Sequence, residues 1–407
     1  MRGTWRWFGP RDAICLEQIK QTGATGIVTA LHHLYHGEPW PVEEVLRCKA
    51  EIEAQDLVWS VVESIPVHNS IKLRSGPHNQ YIGWWKESLR AIGKASIGIV
   101  CCNFMPAVDW TRTDLMWRLP SSAYALRFDV LDFAAYDLFI LKRDGAEADY
   151  SDDRIVSARE RFDHMMPDRR NRLEQAIIAG LPAAEEAYDR KTLAHALSEY
   201  RTMTAADLRA HLIAFLTEVL PVAEENGIRL AIHPDDPPWP LFGLPRVVST
   251  AEDAEAILKA YSTPANGLTF CVGSYGARAD NDLLSMAEKF ASKIYFAHLR
   301  QVKREDDGSF YEAEHLEGSS DIIGVIRGLI RGNNADTEDG NSHELPMRPD
   351  HGHQLLPDSS QNESPGYSLI GRFKGLAELR GVIRGLEYTE QHMHETPLTK
   401  DFSGHLS

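Results

Sequence analysis

Short runs rich in β-branched and aromatic residues alternate along the chain with longer stretches whose apolar positions recur every three or four residues. The runs cover residues 4–8, 26–31, 57–63, 97–103, 228–233, 268–272, 294–299 and 344–350. Brief, mostly apolar runs of this kind suit strands buried on both faces. Between them, residues 12–22, 42–55, 205–226, 251–261, 281–292, 319–331 and 368–389 show helical spacing behind polar starts, as amphipathic helices packed on a sheet do. Strand then helix, repeated, predicts parallel βα units, and eight such runs predict an α/β fold, a closed (β/α)8 TIM barrel. An open doubly wound sheet would alternate in the same way, but it usually carries a glycine-rich phosphate turn after its first strand. No GxGxxG motif stands there.

The alternation breaks once on a large scale. More than a hundred residues separate Asn103 from the next run, far beyond an ordinary βα loop. A helical excursion after strand 4 is expected, residues 120–204 inside a single barrel domain spanning 1–407, with charged amphipathic helices at 151–166, 169–179 and 191–202. A cap or a contact between subunits is the plainer role for it, and a catalytic lid the alternative. Residues 332–343 (GNNADTEDGNSH) are polar and acidic and predict a mobile surface loop, and the tail from Gln391 is expected to be loosely held.

Composition then narrows the function classes. With 407 residues, 43% hydrophobic and 25% charged, the chain has material for a sizeable core. Its net charge of -16 argues against a nucleic-acid partner, which requires a basic face. The first ten residues carry no apolar export segment, and no stretch approaches the ~20 apolar residues of a membrane span. No membrane partner and a cytoplasmic location are therefore expected. The five cysteines include the neighbours Cys101 and Cys102, form no even-numbered framework and read as reduced thiols.

Barrel enzymes assemble their sites at the C-terminal ends of the strands, so the informative residues are those where each apolar run turns polar. The fifth run ends in IHPDDPP at His233, the sixth in FCVGS at Cys271, the seventh in FAHLR at His298 and the eighth in MRPDHGH at Asp350. Taken singly, a buried Cys is usually a small apolar filler and a lone His a hydrogen-bonded core group. Metal-capable groups at four successive strand ends point instead to one divalent ion, and imidazole, thiolate and carboxylate together suit zinc, manganese or iron(II). Earlier ends add Glu63 (VVESIP), Asn103 (CCNFMP), and His32 and His33 (TALHHL), either as pocket groups or as caps on their strands. Arg6, Arg112, Arg300 and Arg348 gather near the same ends. A guanidinium grips a carboxylate bidentately while a surface arginine merely solvates, so a subset of them is expected to bind an anionic substrate. His351 and Tyr367 could move protons, Tyr367 if a nearby cation lowers its pKa. The plainer role for Tyr367 is packing at the barrel rim.

The motifs TWRWFGP, GIVTALHH, WSVVES, NFMPAVDWTRTDL, HPDDPP, FGLPR, RPDHGH and PGYSLIGR resemble those of the D-mannonate dehydratase family. The resemblance runs from residue 4 to about 385 and includes YSDDR and IAGLPAAEEAY in the excursion. It implies a barrel related to xylose isomerases and the dehydration of D-mannonate to 2-dehydro-3-deoxy-D-gluconate in hexuronate catabolism, with Mn2+ or Fe2+. It also implies metal ligation by His233, Cys271, His298 and Asp350, and acid–base roles for His351 and Tyr367. With a sugar acid as substrate, the expected contacts are Arg6, His32, Glu63, Asn103, Arg112, Arg300 and Arg348. The chain departs from the family's usual pattern at Cys102, where the family more often has Tyr, and at Gln301, where it has Asn. It also lacks the usual acidic pair in EGSSD near Asp321, and its stretch 332–343 is longer than typical. None of these falls on a ligand. The rival readings are a metal-dependent sugar isomerase or epimerase on the same barrel, whose sites lean on several carboxylates, and a non-catalytic sugar-acid-binding metalloprotein. A homodimer or larger assembly is expected.

Overall fold

The protein is described by a computed structural model that covers residues 1–178, 188–338, 344–356 and 363–392. Its strands, in chain order, are β1 (Arg2–Arg6), β2 (Gly26–Thr29), β3 (Val58–Glu63), β4 (Ile99–Cys102), β5 (Asp114–Arg118), β6 (Tyr124–Phe128), β7 (Arg229–Ile232), β8 (Asn266–Cys271), β9 (Ile294–His298), β10 (Val302–Arg304), β11 (Phe310–Glu312) and β12 (Pro346–Arg348). Eight of them close into a parallel barrel in the order β1-β12-β9-β8-β7-β4-β3-β2. These are the eight expected runs, each found within two residues of its anticipated ends.

Side-chain alternation, interrupted by one-residue register shifts at Ser60 in β3 and Tyr295 in β9, explains what fills the barrel. Val28, Val61, Cys101, Ala231, Tyr295 and Phe296 form a cluster contributed by five different strands, the stacked inward layer by which a small barrel becomes a packed core. The alternate residues face outward into a larger core shared with the helices, including Trp59, Val62, Leu230, Leu268 and Phe270. Helices Ala205–Glu225 and Ala251–Ala260 begin with reciprocal capping boxes, Thr204 with Asp207 and Thr250 with Asp253, which satisfy backbone N–H groups that a first turn otherwise leaves unpaired. Helix His78–Lys94, between β3 and β4, was not among the expected helices; its buried Ile82, Trp85, Leu89 and Ile92 follow the helical stripe.

The excursion after β4 is not helical throughout. It opens with the antiparallel hairpin β5–β6, and only then come helices Asp152–His164, Pro167–Ile178 and Arg190–Glu199. The hairpin pairs with a second one, β10–β11, which extends from the mouth of β9, giving a four-stranded side sheet in the order β10-β11-β6-β5. A separate core of Phe128, Phe133, Tyr136, Phe242 and Phe310 packs beneath it. Helix Ile322–Glu338 runs into the stretch 332–343 expected as a loop, and residues 339–343 lie outside the described residues. Helix Leu369–His392 carries the described chain to its end, so the tail from residue 393 also lies outside them. Among the described residues no helix is long and apolar enough to cross a membrane.

Candidate metal centre and active site

Strand register brings the metal-capable residues together. Cys271 pairs with His298 across β8 and β9, and His298 with Arg348 across β9 and β12, so three neighbouring strands present their last side chains side by side. His233 follows β7, its backbone N–H donating to the Cys102 carbonyl at 2.9 Å. One ligand atom each from His233, Cys271 and His298 lies within 4.8 Å of the other two. His233 Nδ1 donates to the Pro234 carbonyl at 2.7 Å, which leaves Nε2 bare, and Nε2 stands 3.1 Å from His298 Nδ1. Asp350 adjoins the group, with Oδ2 3.8 Å from His298 Nδ1 and Oδ1 2.6 Å from Arg348 Nη1.

Burial sets the protonation of this group. It lowers the pKa of His233, and lowers that of His298 well below the ordinary histidine value with Arg348 assisting, so both rings stay neutral. Burial also pushes the Cys271 thiol up to about 12, although Arg300 pulls the other way. At Asp350 burial opposes ionisation, but Arg348, His351, His298 and Arg300 outweigh it and hold the carboxyl well below the usual range.

Two ion-pair networks frame the centre. In the first, Glu63 at the end of β3 bridges Arg6 Nη1 (2.9 Å) and Arg348 Nη2 (3.0 Å). Burial would raise its pKa, yet Arg348 and then Arg6 lower it to about 2. In the second, Asp236 and Glu312 share two arginines. Arg112 reaches Asp236 through paired contacts of 2.9 and 3.1 Å and Glu312 at 3.1 Å. Arg300 donates to Asp236 at 2.6 Å and to Glu312 at 2.8 Å. These carboxylates are 2% and 3% exposed; sequence reasoning named neither. Asp236 was visible inside HPDDPP, but Glu312 sits in the unremarkable YEAEH of the side sheet.

A cavity of about 160 Å³ opens at this end of the barrel, and its lining includes Arg6, His32, Glu63, Asn103, His233, Arg300, Arg348, Asp350, His351 and Tyr367. Cys271 and His298 lie beneath it, fully buried. Among the expected substrate contacts Arg112 is the exception. It is wholly buried, does not line the cavity and is committed to Asp236 and Glu312. His33 turns away, bonded to Glu44 on the surface. His351 and Tyr367 meet edge-on, ring centroids 5.1 Å apart. The lowered tyrosine pKa anticipated from nearby cations is not found. Burial, reinforced by Asp350, pushes the Tyr367 phenol up to about 12 against the pull of Arg348 and Arg6. Lys72, Asp109 and Trp110, absent from the expected set, also line the cavity, Lys72 bonding Asp109 at 3.3 Å. So do Ile177 and Leu193 from the excursion.

This geometry can be set beside known proteins. The family model described as D-mannonate dehydratase (UxuA) matches residues 1–393. A mannonate dehydratase of Saccharophagus degradans is 51% identical over 393 residues, 96% of this chain and 99% of its own. The crystal structure of mannonate dehydratase from Streptococcus suis serotype 2 matches with a TM-score of 0.76 at 32% identity, covering 96% of each chain. A xylose isomerase domain protein from Planctomyces limnophilus, at 10% identity, has a TM-score of 0.50 over 95% of this chain and 97% of its own. That last likeness is one of fold alone and places the barrel among xylose-isomerase-like TIM barrels. The other matches rest on the whole barrel and its excursion rather than on strand-end motifs alone: the chain belongs to the D-mannonate dehydratase family.

Proposed function

We propose that the protein is a mannonate dehydratase, a hydro-lyase that removes water from D-mannonate to give 2-dehydro-3-deoxy-D-gluconate in hexuronate catabolism. The observation that carries this reading is the convergence, at one cavity, of three metal-capable atoms, the His351–Tyr367 ring pair and arginines with donors to spare. Arg6 Nε and Arg300 Nη2 are buried without a hydrogen-bond partner, an arrangement that a polyhydroxy carboxylate would relieve.

His233, Cys271 and His298, with Asp350 as a fourth ligand, would hold a divalent ion, Mn2+ or Fe2+. Two neutral imidazoles, a thiol that loses its proton on binding and an ionised carboxylate fit such an ion. When bound, it supplies a Lewis acid for negative charge developing on the substrate carboxylate. Arg6 and Arg348, with Glu63, His32, Asn103 and Arg300 around them, orient the sugar acid.

His351 takes the proton from C2, which the adjacent carboxylate makes acidic. The electron pair of that C–H bond becomes the C2–C3 double bond as the C3–O bond breaks. Tyr367, kept protonated by burial, gives its proton to the departing hydroxyl, which leaves as water. The enol at C2 then tautomerises, taking a proton at C3 to become the 2-keto-3-deoxy acid. The test uses metal-stripped protein given D-mannonate and each divalent ion in turn, with keto-acid formation followed. Activity should return with Mn2+ or Fe2+. Turnover without metal would overturn the metal's role, and a product of unchanged mass would overturn dehydration.

A further inference from the structure

We infer that Glu312, delivered by the side sheet rather than by the barrel, is the positioning residue for His351, fixing its ring so that Nε2 alone is offered for proton transfer. The inference rests on the reading that His351 moves a proton, and it deepens that reading by naming what sets the ring's tautomer and orientation.

His351 Nδ1 lies 3.1 Å from Glu312 Oε1. Burial opposes ionisation of Glu312, but Arg300, then His351 and Arg112, lower its pKa to about 2. An ionised carboxylate only accepts hydrogen bonds, so Nδ1 must be the donor and, in the neutral ring, Nε2 is left bare. Nε2 is 4.0 Å from Asp350 Oδ1, so the bare nitrogen is turned towards the carboxylate that adjoins the metal group. The ring is clamped by edge contacts with Tyr367 at 5.1 Å and Trp110 at 5.9 Å.

Glu312 itself has little freedom. Oε1 also accepts from Arg112 at 3.1 Å and Oε2 from Arg300 at 2.8 Å, so two guanidinium groups fix the carboxylate plane. Its carbonyl accepts from His353 Nε2 at 2.9 Å. On β11 it follows Phe310 by two residues, so both side chains share the buried face of the strand. Pairing of β11 with β6 and β10 then sets how far Glu312 projects towards the barrel mouth. Two insertions that add nothing to the barrel thus supply the carboxylate behind its proton-transfer histidine, an arrangement that orients an imidazole and stabilises the imidazolium that forms.

The test is Glu312→Gln, which keeps the shape but has an amide that donates as well as accepts, so that Nδ1–H is no longer enforced. The expected result is a fall in kcat of about 100-fold, with KM for D-mannonate and bound metal changing less than about threefold. A kcat within about threefold of the parent, or a loss that appears in KM instead, overturns the inference. In a His351→Asn background the Glu312 change should cost nothing further; an equal cost in both backgrounds means that Glu312 acts on the arginines rather than through His351, and overturns it. Should Glu312→Gln fail to fold, ring-nitrogen NMR on the unmodified protein loaded with diamagnetic Zn2+ in place of Mn2+ or Fe2+, with 15N-labelled histidine, decides, with His351→Asn assigning the signal. A protonated Nδ1 and bare Nε2 support the inference, and the opposite tautomer overturns it. Near-wild-type turnover of His351→Asn removes His351 from the reaction and the inference with it. An active Glu312→Gln beside an inactive His351→Asn overturns the inference alone.

Discussion

Asp350 and His351 are consecutive, yet both line the cavity, which an extended strand forbids because successive side chains point to opposite faces. The chain escapes the alternation by turning Asp350 to φ +65°, in the left-handed region that Asp tolerates better than most residues. A metal-capable carboxylate and a proton-transfer imidazole can therefore occupy adjacent positions. On the proposed roles, His351→Asn and Tyr367→Phe should each lower turnover by about 10²- to 10⁴-fold while bound metal, measured by elemental analysis, stays unchanged. Near-parental turnover of either variant removes that residue from the mechanism. At this scale the strand-end rule made most of the cavity legible, because His233, Asp350, Glu63 and Arg348 lie at or just beyond the ends of their strands. It misjudged Arg112, whose charge is consumed by Asp236 and Glu312. No local pattern distinguishes an arginine that meets a substrate from one that meets a carboxylate more than a hundred residues away in sequence.

At the scale of elements, the turn after β8 shows how tightly the site is built. A Cβ added to Gly273 would stand 2.5 Å from Arg300 Nε, and Arg300 cannot retreat because Asp236 and Glu312 both hold it. Gly273→Ala should therefore destabilise the protein by about 1–3 kcal/mol and lower activity together, through displacement of Arg300 rather than loss of a ligand. Parallel measurements of thermal unfolding and kcat check this; an unchanged melting temperature with full activity would show that the turn can relax. Most barrel strands were readable because they are nearly unbroken apolar runs, as β2 (GIVT) and β9 (IYFAH) are. The side sheet was not: β10 (VKR) and β11 (FYE) are three residues long and mostly polar or charged. Their conformation comes from pairing with β6 and from Phe310 stacking on Phe128, contacts between segments too distant in sequence for periodicity to register.

For the molecule as a whole, the cost of this construction falls on its acid side. Groups under the barrel mouth are held in the protonation states of neutral pH. Burial, with Arg6 assisting, lowers His32 to about 3, His298 lies well below the ordinary value, and Glu63 and Glu312 are lowered to about 2. Unfolded, histidine titrates near ~6.5 and glutamate near ~4.3. As pH falls below about 6.5 the unfolded chain binds protons that the folded histidines refuse, and below about 4.5 it binds those refused by the carboxylates, so stability must decline with pH across both windows. Above neutrality all these contributions are present and the same groups add no slope. The urea midpoint of the metal-free protein should therefore hold steady between about pH 7 and 8, below the range in which an unfolded thiol loses the proton that buried Cys271 keeps, and fall from about pH 6.5 downward, and a midpoint unchanged between pH 7 and 4 sinks the account. Net charge is the competing cause: at -16 near neutrality the chain passes through zero on acidification and then repels itself as a cation. Salt separates the two. Repulsion among exposed charges is screened when the Debye length shrinks to a few ångströms, whereas proton uptake by buried groups is screened much less. The decline below pH 6.5 should therefore persist at about 0.5 M salt, and its disappearance there would assign acid sensitivity to the surface instead of the active-site groups.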